Sequence, residues 1–88
     1  MKVKTEYQGI VMELHRSLGS VRFLVNGEVR AMTGGKLMHH KVDQSYEATL
    51  QEGSGRGAVV KAELQLGWLI DTVYFYVNDQ LVDKKRLL

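Results

Sequence analysis

The chain has 88 residues, of which 44% are hydrophobic and 25% charged, and its formal net charge is +2. That length fits one small domain with a single core, so we expect one domain over residues 1–88. The absence of Cys excludes disulfides, thiol nucleophiles and cysteine metal sites, and it favours a reducing, cytoplasmic location. No run approaches the roughly 18 apolar residues that a membrane span needs, so we expect no membrane partner.

The beginning of the chain predicts one long, bent strand. Residues 10–15 alternate apolar and polar side chains, and residues 3–7 do the same in the opposite phase. One extra residue between the two stretches brings them into phase, and Gly9 suits a β-bulge at that point. A long first strand with a sharp bend suits a small barrel.

The Asn-Gly pair that follows predicts a hairpin. A two-residue loop would mix apolar and charged side chains on one face. A three-residue loop over residues 25–27, with its glycine in the left-handed conformation, instead pairs Phe23 with Val29 and gives one apolar face. In that register Arg22 lies opposite Arg30, and like charges directly opposite each other destabilise a sheet by roughly 0.2–1 kcal/mol. A bound anion or an acidic neighbour would offset that cost.

Three further stretches alternate in the manner of strands. Residues 46–50 and 60–66 are joined by the flexible loop 52–57, so they predict a hairpin in which Tyr46 faces the core. Residues 68–77 predict another strand. We detect no internal repeat in the sequence.

Two segments do not alternate clearly. Residues 36–42 fit a short helix that plugs a barrel end. Residues 79–88 form either the last strand of a hairpin or a short helix capped by Asn78, with acidic residues early and basic residues late. We therefore expect an all-β domain: a small barrel of five to seven strands, OB-like or SH3-like, with a short C-terminal helix as one alternative.

Charge is unevenly distributed along the chain. Residues 15–41 carry five Lys or Arg against one Glu, residues 42–83 carry two against seven Asp or Glu, and residues 84–86 are all basic. The basic stretch predicts an anion site. The alternative is an ordinary solvated surface. The basic and acidic parts of the chain then complement each other within one barrel or between subunits.

Catalytic and metal-binding signatures are missing from the sequence. Residues 33–36 lack the spacing of a phosphate-binding loop. Adjacent histidines such as His39 and His40 point in different directions in a strand or a helix, so they do not make a metal site. No Ser–His–Asp order or carboxylate pair stands out. The sequence predicts a protein that is not an enzyme and has no cofactor.

Basic and aromatic side chains are the candidates for binding. The predicted nucleic-acid or anion contacts are Arg22, Arg30, Lys36, His39, His40, Lys41 and Arg56. Such groups neutralise phosphates, and single-strand binders add aromatic platforms. We expect Trp68 to anchor the core, whereas Tyr74 and Tyr76 lie on a non-core face. As an alternative, these three aromatic residues form an interface with a protein.

Residues 9–38 resemble the oligonucleotide-binding barrel of bacterial translation initiation factor one. The matching pieces are the glycine-opened strand 9–14, the Asn-Gly hairpin 23–31 and the Gly-Lys-Leu stretch 35–37. The resemblance implies a five-stranded Greek-key barrel that binds RNA. Its implied contacts are Arg22, Arg30, Lys36 and Lys41. Residues 67–88 have no counterpart in that barrel.

These observations predict a non-enzymatic module that binds RNA, single-stranded nucleic acid or another phosphate-bearing ligand. The alternative is a protein–protein interaction module, of the kind found in phage-type inhibitors or homo-oligomeric adaptors.

Overall fold

The structure, a computed structural model, describes residues 2–17, 20–34, 44–53 and 55–87. They form eight strands: β1 (Lys2–Tyr7), β2 (Ile10–Ser17), β3 (Ser20–Val25), β4 (Glu28–Gly34), β5 (Gln44–Thr49), β6 (Val59–Gln65), β7 (Asp71–Val77) and β8 (Gln80–Leu87). The all-β prediction is confirmed, whereas the predicted number of five to seven strands is wrong. The C-terminal stretch is strand β8, so the helix alternative is wrong and the hairpin alternative is confirmed. The helix predicted over residues 36–42 lies outside the described residues. No membrane-spanning helix occurs in the described ranges.

The strands form two antiparallel sheets, in the orders β1-β2-β3-β4 and β5-β6-β7-β8. Strand order follows chain order in both sheets, so neither contains the Greek-key crossing that the resemblance implies. The buried side chains of both sheets make one hydrophobic cluster, because alternate residues of each strand point to the same face. The largest fully buried members are Phe23, Phe75, Met12, Leu14 and Leu64.

The edges of the two sheets touch on both sides. On one side, the Thr5 hydroxyl of β1 donates a hydrogen bond of 2.5 Å to Asp83 of β8. This bond is the main cause that holds the pKa of Asp83 below its ordinary value of 3.8, and the Lys84 backbone N–H adds to it while burial opposes it. On the other side, the Arg30 guanidinium donates to the Thr49 carbonyl at 3.2 Å. These contacts join β1 to β8 and the β4 edge to β5.

The predicted long first strand is instead a hairpin. Gln8 and Gly9 have φ angles of 49° and 83°, and Tyr7 pairs with Ile10 across this two-residue turn. Left-handed conformations at both central residues are typical of tight hairpins. The two out-of-phase stretches therefore face the same core from two neighbouring strands, and no bulge is needed to bring them into phase.

The predicted register of the second hairpin is wrong. Asn26 and its glycine neighbour both have positive φ, and Val25 pairs with Glu28 across a two-residue turn. The extra residue lies within β4 at Arg30, where the register shifts. This bulge, rather than a longer loop, places Ala31 on the core side opposite the buried Phe23, whereas Val29 is 47% exposed. Arg22 consequently pairs with Met32 and does not lie opposite Arg30.

The two sheets repeat each other's arrangement, although the sequence shows no repeat. The Asn26 side chain accepts a hydrogen bond of 2.9 Å from the Val11 N–H, and its own N–H donates to the Val11 carbonyl at 2.8 Å. Asn78 makes the same two bonds with Val59 at the same distances. In each sheet an extra residue interrupts the strand after the turn. Each asparagine therefore links the turn of a hairpin to the strand that precedes that hairpin, β2 in the first sheet and β6 in the second.

Candidate anion-binding site

Three basic side chains lie side by side across the outer face of the first sheet. His15 in β2 pairs with Lys2 in β1 on one side and with Arg22 in β3 on the other. Directly opposite residues place their Cβ atoms about 4.5–5.5 Å apart on the same face. The neighbours of these residues along β2 and β3 include the buried Leu14 and Phe23, so the basic side chains point outward. We refer to Lys2, His15 and Arg22 as the basic row.

The basic row lines a surface depression of about 380 Å³. Its lining residues are Lys2, His15, Arg16, Ser17 and Arg22. Arg22 is exposed and makes no hydrogen bond or ion pair with the described part of the chain. Its five N–H donors are therefore available to an anion.

One carboxylate lies beside the basic row. The His15 Nε2 atom contacts the Glu13 Oε1 atom at 2.9 Å. The hydrogen bond from His15 is the main cause that lowers the pKa of Glu13; the charges of His15, Lys4 and Lys2 add to it, and burial opposes it. Glu13 is therefore ionised at neutral pH, and its negative charge offsets part of the positive charge of Lys2 and Arg22.

An ion pair connects the depression to the next part of the surface. The Arg16 guanidinium contacts Asp71 at the start of β7, and the two side chains are only 28% and 19% exposed. The second Asp71 carboxylate oxygen accepts a hydrogen bond of 3.1 Å from the Gly67 N–H. Asp71 thereby links the end of β2 to the 66–70 loop between β6 and β7.

The 66–70 loop overturns the prediction for Trp68. This residue is 95% exposed, and its neighbour Leu69 is 85% exposed, so Trp68 does not anchor the core. The strand predicted over residues 68–77 begins only at Asp71, because the Asp71 side chain holds the preceding residues in a loop. A depression of about 540 Å³ lies there, lined by Leu66, Gly67, Trp68 and Asp71.

The structure separates the basic residues that the sequence grouped together. Arg22 belongs to the basic row. Arg30 lies at the β4–β5 edge, where its guanidinium also approaches Glu28 at 3.6 Å. Arg56 is exposed in the 50–58 loop, which packs against Ile10 at the opposite end of β2. Lys36, His39, His40 and Lys41 lie outside the described residues.

Sequence reasoning missed Lys2 and His15 as members of the site. The signal that would have found them is the tight turn at residues 8–9. Once Tyr7 is paired with Ile10, counting back along the two strands places Lys2 opposite His15.

Tyr74 and Tyr76 lie half-buried on the outer face of the second sheet, as predicted. The Tyr76 hydroxyl donates to Glu63 at 3.2 Å, and the Lys61 ammonium lies 4.8 Å from the centre of its ring. Burial, followed by the hydrogen bond and charge of Glu63, raises the pKa of Tyr76 above its ordinary value. Both tyrosines line a depression of about 420 Å³, and no residue of the 66–70 loop that carries Trp68 lines it.

Within the described ranges, no group of three or more His, Asp or Glu side chains is placed to hold a metal ion. Comparison with protein-family models, with curated proteins and with solved structures finds no match. The function proposed below therefore depends on the geometry of this chain alone.

Proposed function

We propose that this protein is a non-enzymatic module that binds RNA, single-stranded nucleic acid or another phosphate-bearing ligand through the basic row. The observation that carries the proposal is the placement of Lys2, His15 and Arg22 as direct neighbours across three strands. Lys2 and Arg22 carry like charges on either side of the His15 ring, so a phosphate bound between them would be attracted to both.

The dimensions and the chemistry of the row suit a phosphate chain. Two interstrand spacings give the row a length of roughly 10 Å. The Arg22 guanidinium offers paired donors to phosphate oxygens, and Lys2 adds a point charge. Neutralising phosphates with these groups releases counterions, so binding should weaken as salt increases.

Three further elements belong to the proposal. The first is that the two sheets close into one flattened barrel, which the edge contacts through Thr5 and Arg30 support. RNA as the ligand depends on the sequence resemblance of residues 9–38 to initiation factor one alone, because the strand order of the two sheets departs from that barrel. The location is cytoplasmic, in keeping with the absence of Cys.

A binding titration with matched charge deletions tests the proposal. Fluorescence anisotropy of a labelled single-stranded oligo(dC) measures affinity for the wild type, for Arg22→Ala and for Arg56→Ala. Removing the Arg22 contact should weaken binding about fivefold or more, whereas removing Arg56 at the opposite end should change it less than about twofold. Equal affinities of the two variants would show that the basic row is not the site.

A protein–protein module, as an inhibitor or a homo-oligomeric adaptor, is the second candidate. The observation that favours it is the depression beside Tyr74 and Tyr76, because tyrosine is enriched at interfaces. Sedimentation at micromolar concentration should then show a dimer or a larger species that Tyr74→Ser dissociates. A monomer at every concentration would argue against self-association.

A further inference from the structure

We propose that Trp68 is a stacking platform for a base of single-stranded nucleic acid, placed beside the phosphate contacts of the basic row. This inference rests on the proposed function and narrows its ligand to a chain that carries bases as well as phosphates.

The exposure of the 66–70 loop is the first observation. Trp68 and Leu69 are 95% and 85% exposed, and Ile70 is 38% exposed. The core is complete without these three residues, since the buried cluster contains side chains from both sheets and, from the 66–70 loop, only Leu66 packs against it. Contiguous exposed side chains of this size are typical of interaction sites, and an indole offers a flat apolar face to a ligand.

The junction of the two depressions is the second observation. Arg16 lines the cationic depression, and Asp71 lines the depression beside Trp68. These two side chains form an ion pair, and Asp71 also holds Gly67, the residue before Trp68. A site for phosphate and a site for a flat ring therefore share one wall. A nucleotide joins a phosphate to a flat ring in the same way.

The chemistry of the second depression favours a base over a lipid chain. Its wall combines the indole and Leu66 with the carboxylate of Asp71. Each Asp71 oxygen already has one partner, but a carboxylate oxygen has a second lone pair that can accept from the exocyclic amino group of cytosine. The same carboxylate is unfavourable against acyl chains. Aromatic stacking is available to every base, so this part of the site tolerates different sequences.

The chain contains one Trp, so its fluorescence reports on this position alone. Titration with unlabelled oligo(dC) should quench Trp68 emission without a blue shift, whereas inorganic polyphosphate should bind the basic row and leave the emission unchanged. In anisotropy, Trp68→Ala should weaken oligo(dC) binding roughly tenfold or more. The control Leu81→Ala, at another exposed apolar residue, should change it less than about twofold.

The outcomes separate this inference from the function on which it rests. If oligo(dC) binds with unquenched Trp68 and Trp68→Ala binds normally, the stacking site is excluded and the basic row stands. If neither oligo(dC) nor polyphosphate binds, the proposed function itself is wrong. A blue shift with phosphatidylglycerol vesicles and no quenching by oligo(dC) would overturn the inference in favour of a lipid surface.

Discussion

The two asparagine turns give the sharpest test of the fold. Asn26 has a φ of 52° and accepts a hydrogen bond from the Val11 N–H. Asn26→Gly keeps the conformation and removes the side-chain bond, which should cost about 0.5–1.5 kcal/mol. Asn26→Ala also forces a Cβ-bearing residue into the left-handed region, which adds about 1–2 kcal/mol. The alanine variant should therefore lose about 1.5–3.5 kcal/mol of the free energy of unfolding.

The second turn supplies the matched comparison. Asn78 has a φ of 51° and makes the equivalent bonds to Val59, so its Gly and Ala variants should lose the same amounts as those of Asn26. Urea unfolding followed by far-ultraviolet circular dichroism measures both series, because an exposed Trp68 is a poor reporter of unfolding. A glycine variant that loses less than about 0.5 kcal/mol would refute the role given to these side chains.

Three further predictions concern other parts of the chain. Asp71→Ala should lower the free energy of unfolding, measured in urea, by about 2–3 kcal/mol. Asp71→Asn keeps an acceptor for the Gly67 N–H, so its loss should be about 1 kcal/mol smaller. Equal losses in the two variants would contradict the loop contact. Gly55→Ala should destabilise more than Gly53→Ala, because both have positive φ but only at Gly55 would a Cβ fall 2.4 Å from an isoleucine side-chain atom of β2. The lowered pKa of Asp83 means that its stabilising effect is present above its ordinary pKa of 3.8 and is lost as the pH falls through the folded value. Asp83→Asn should thus flatten the acid dependence of the free energy of unfolding, and an unchanged acid dependence would contradict this.

Alternation was enough to predict the all-β class, most of the strands and the inward side of Tyr46, because period-two patterning reflects burial directly. It could not predict the turn at Gln8, since glutamine rarely adopts a left-handed conformation and gives no turn signal. The bulge at Arg30 was equally hidden, because the side-chain pattern fits either a longer loop or an extra strand residue. Because the turn at Gln8 was not recognised, β1 and β2 were predicted as one strand. Because the bulge was not recognised, Arg22 and Arg30 were predicted to lie opposite each other, whereas the structure separates them.

The candidate site was only partly accessible from sequence. Arg22 was recognisable as a basic residue on an outward face. Lys2 and His15 join it only after a hairpin brings three strands together, which depends on register rather than on composition. Trp68 was assigned to the core because large aromatic residues are usually buried there. Its exposure follows from the Asp71 contacts across the sheets, which no local pattern encodes.

The salt dependence of oligo(dC) binding tests the basic row most directly. The logarithm of the association constant, measured between about 50 and 200 mM salt, should fall linearly with the logarithm of salt concentration. Arg22→Ala should reduce the magnitude of that slope by about 1, and Arg56→Ala should leave it unchanged. A slope that is the same in the wild type and in Arg22→Ala would contradict the assignment of the basic row as the phosphate-binding site.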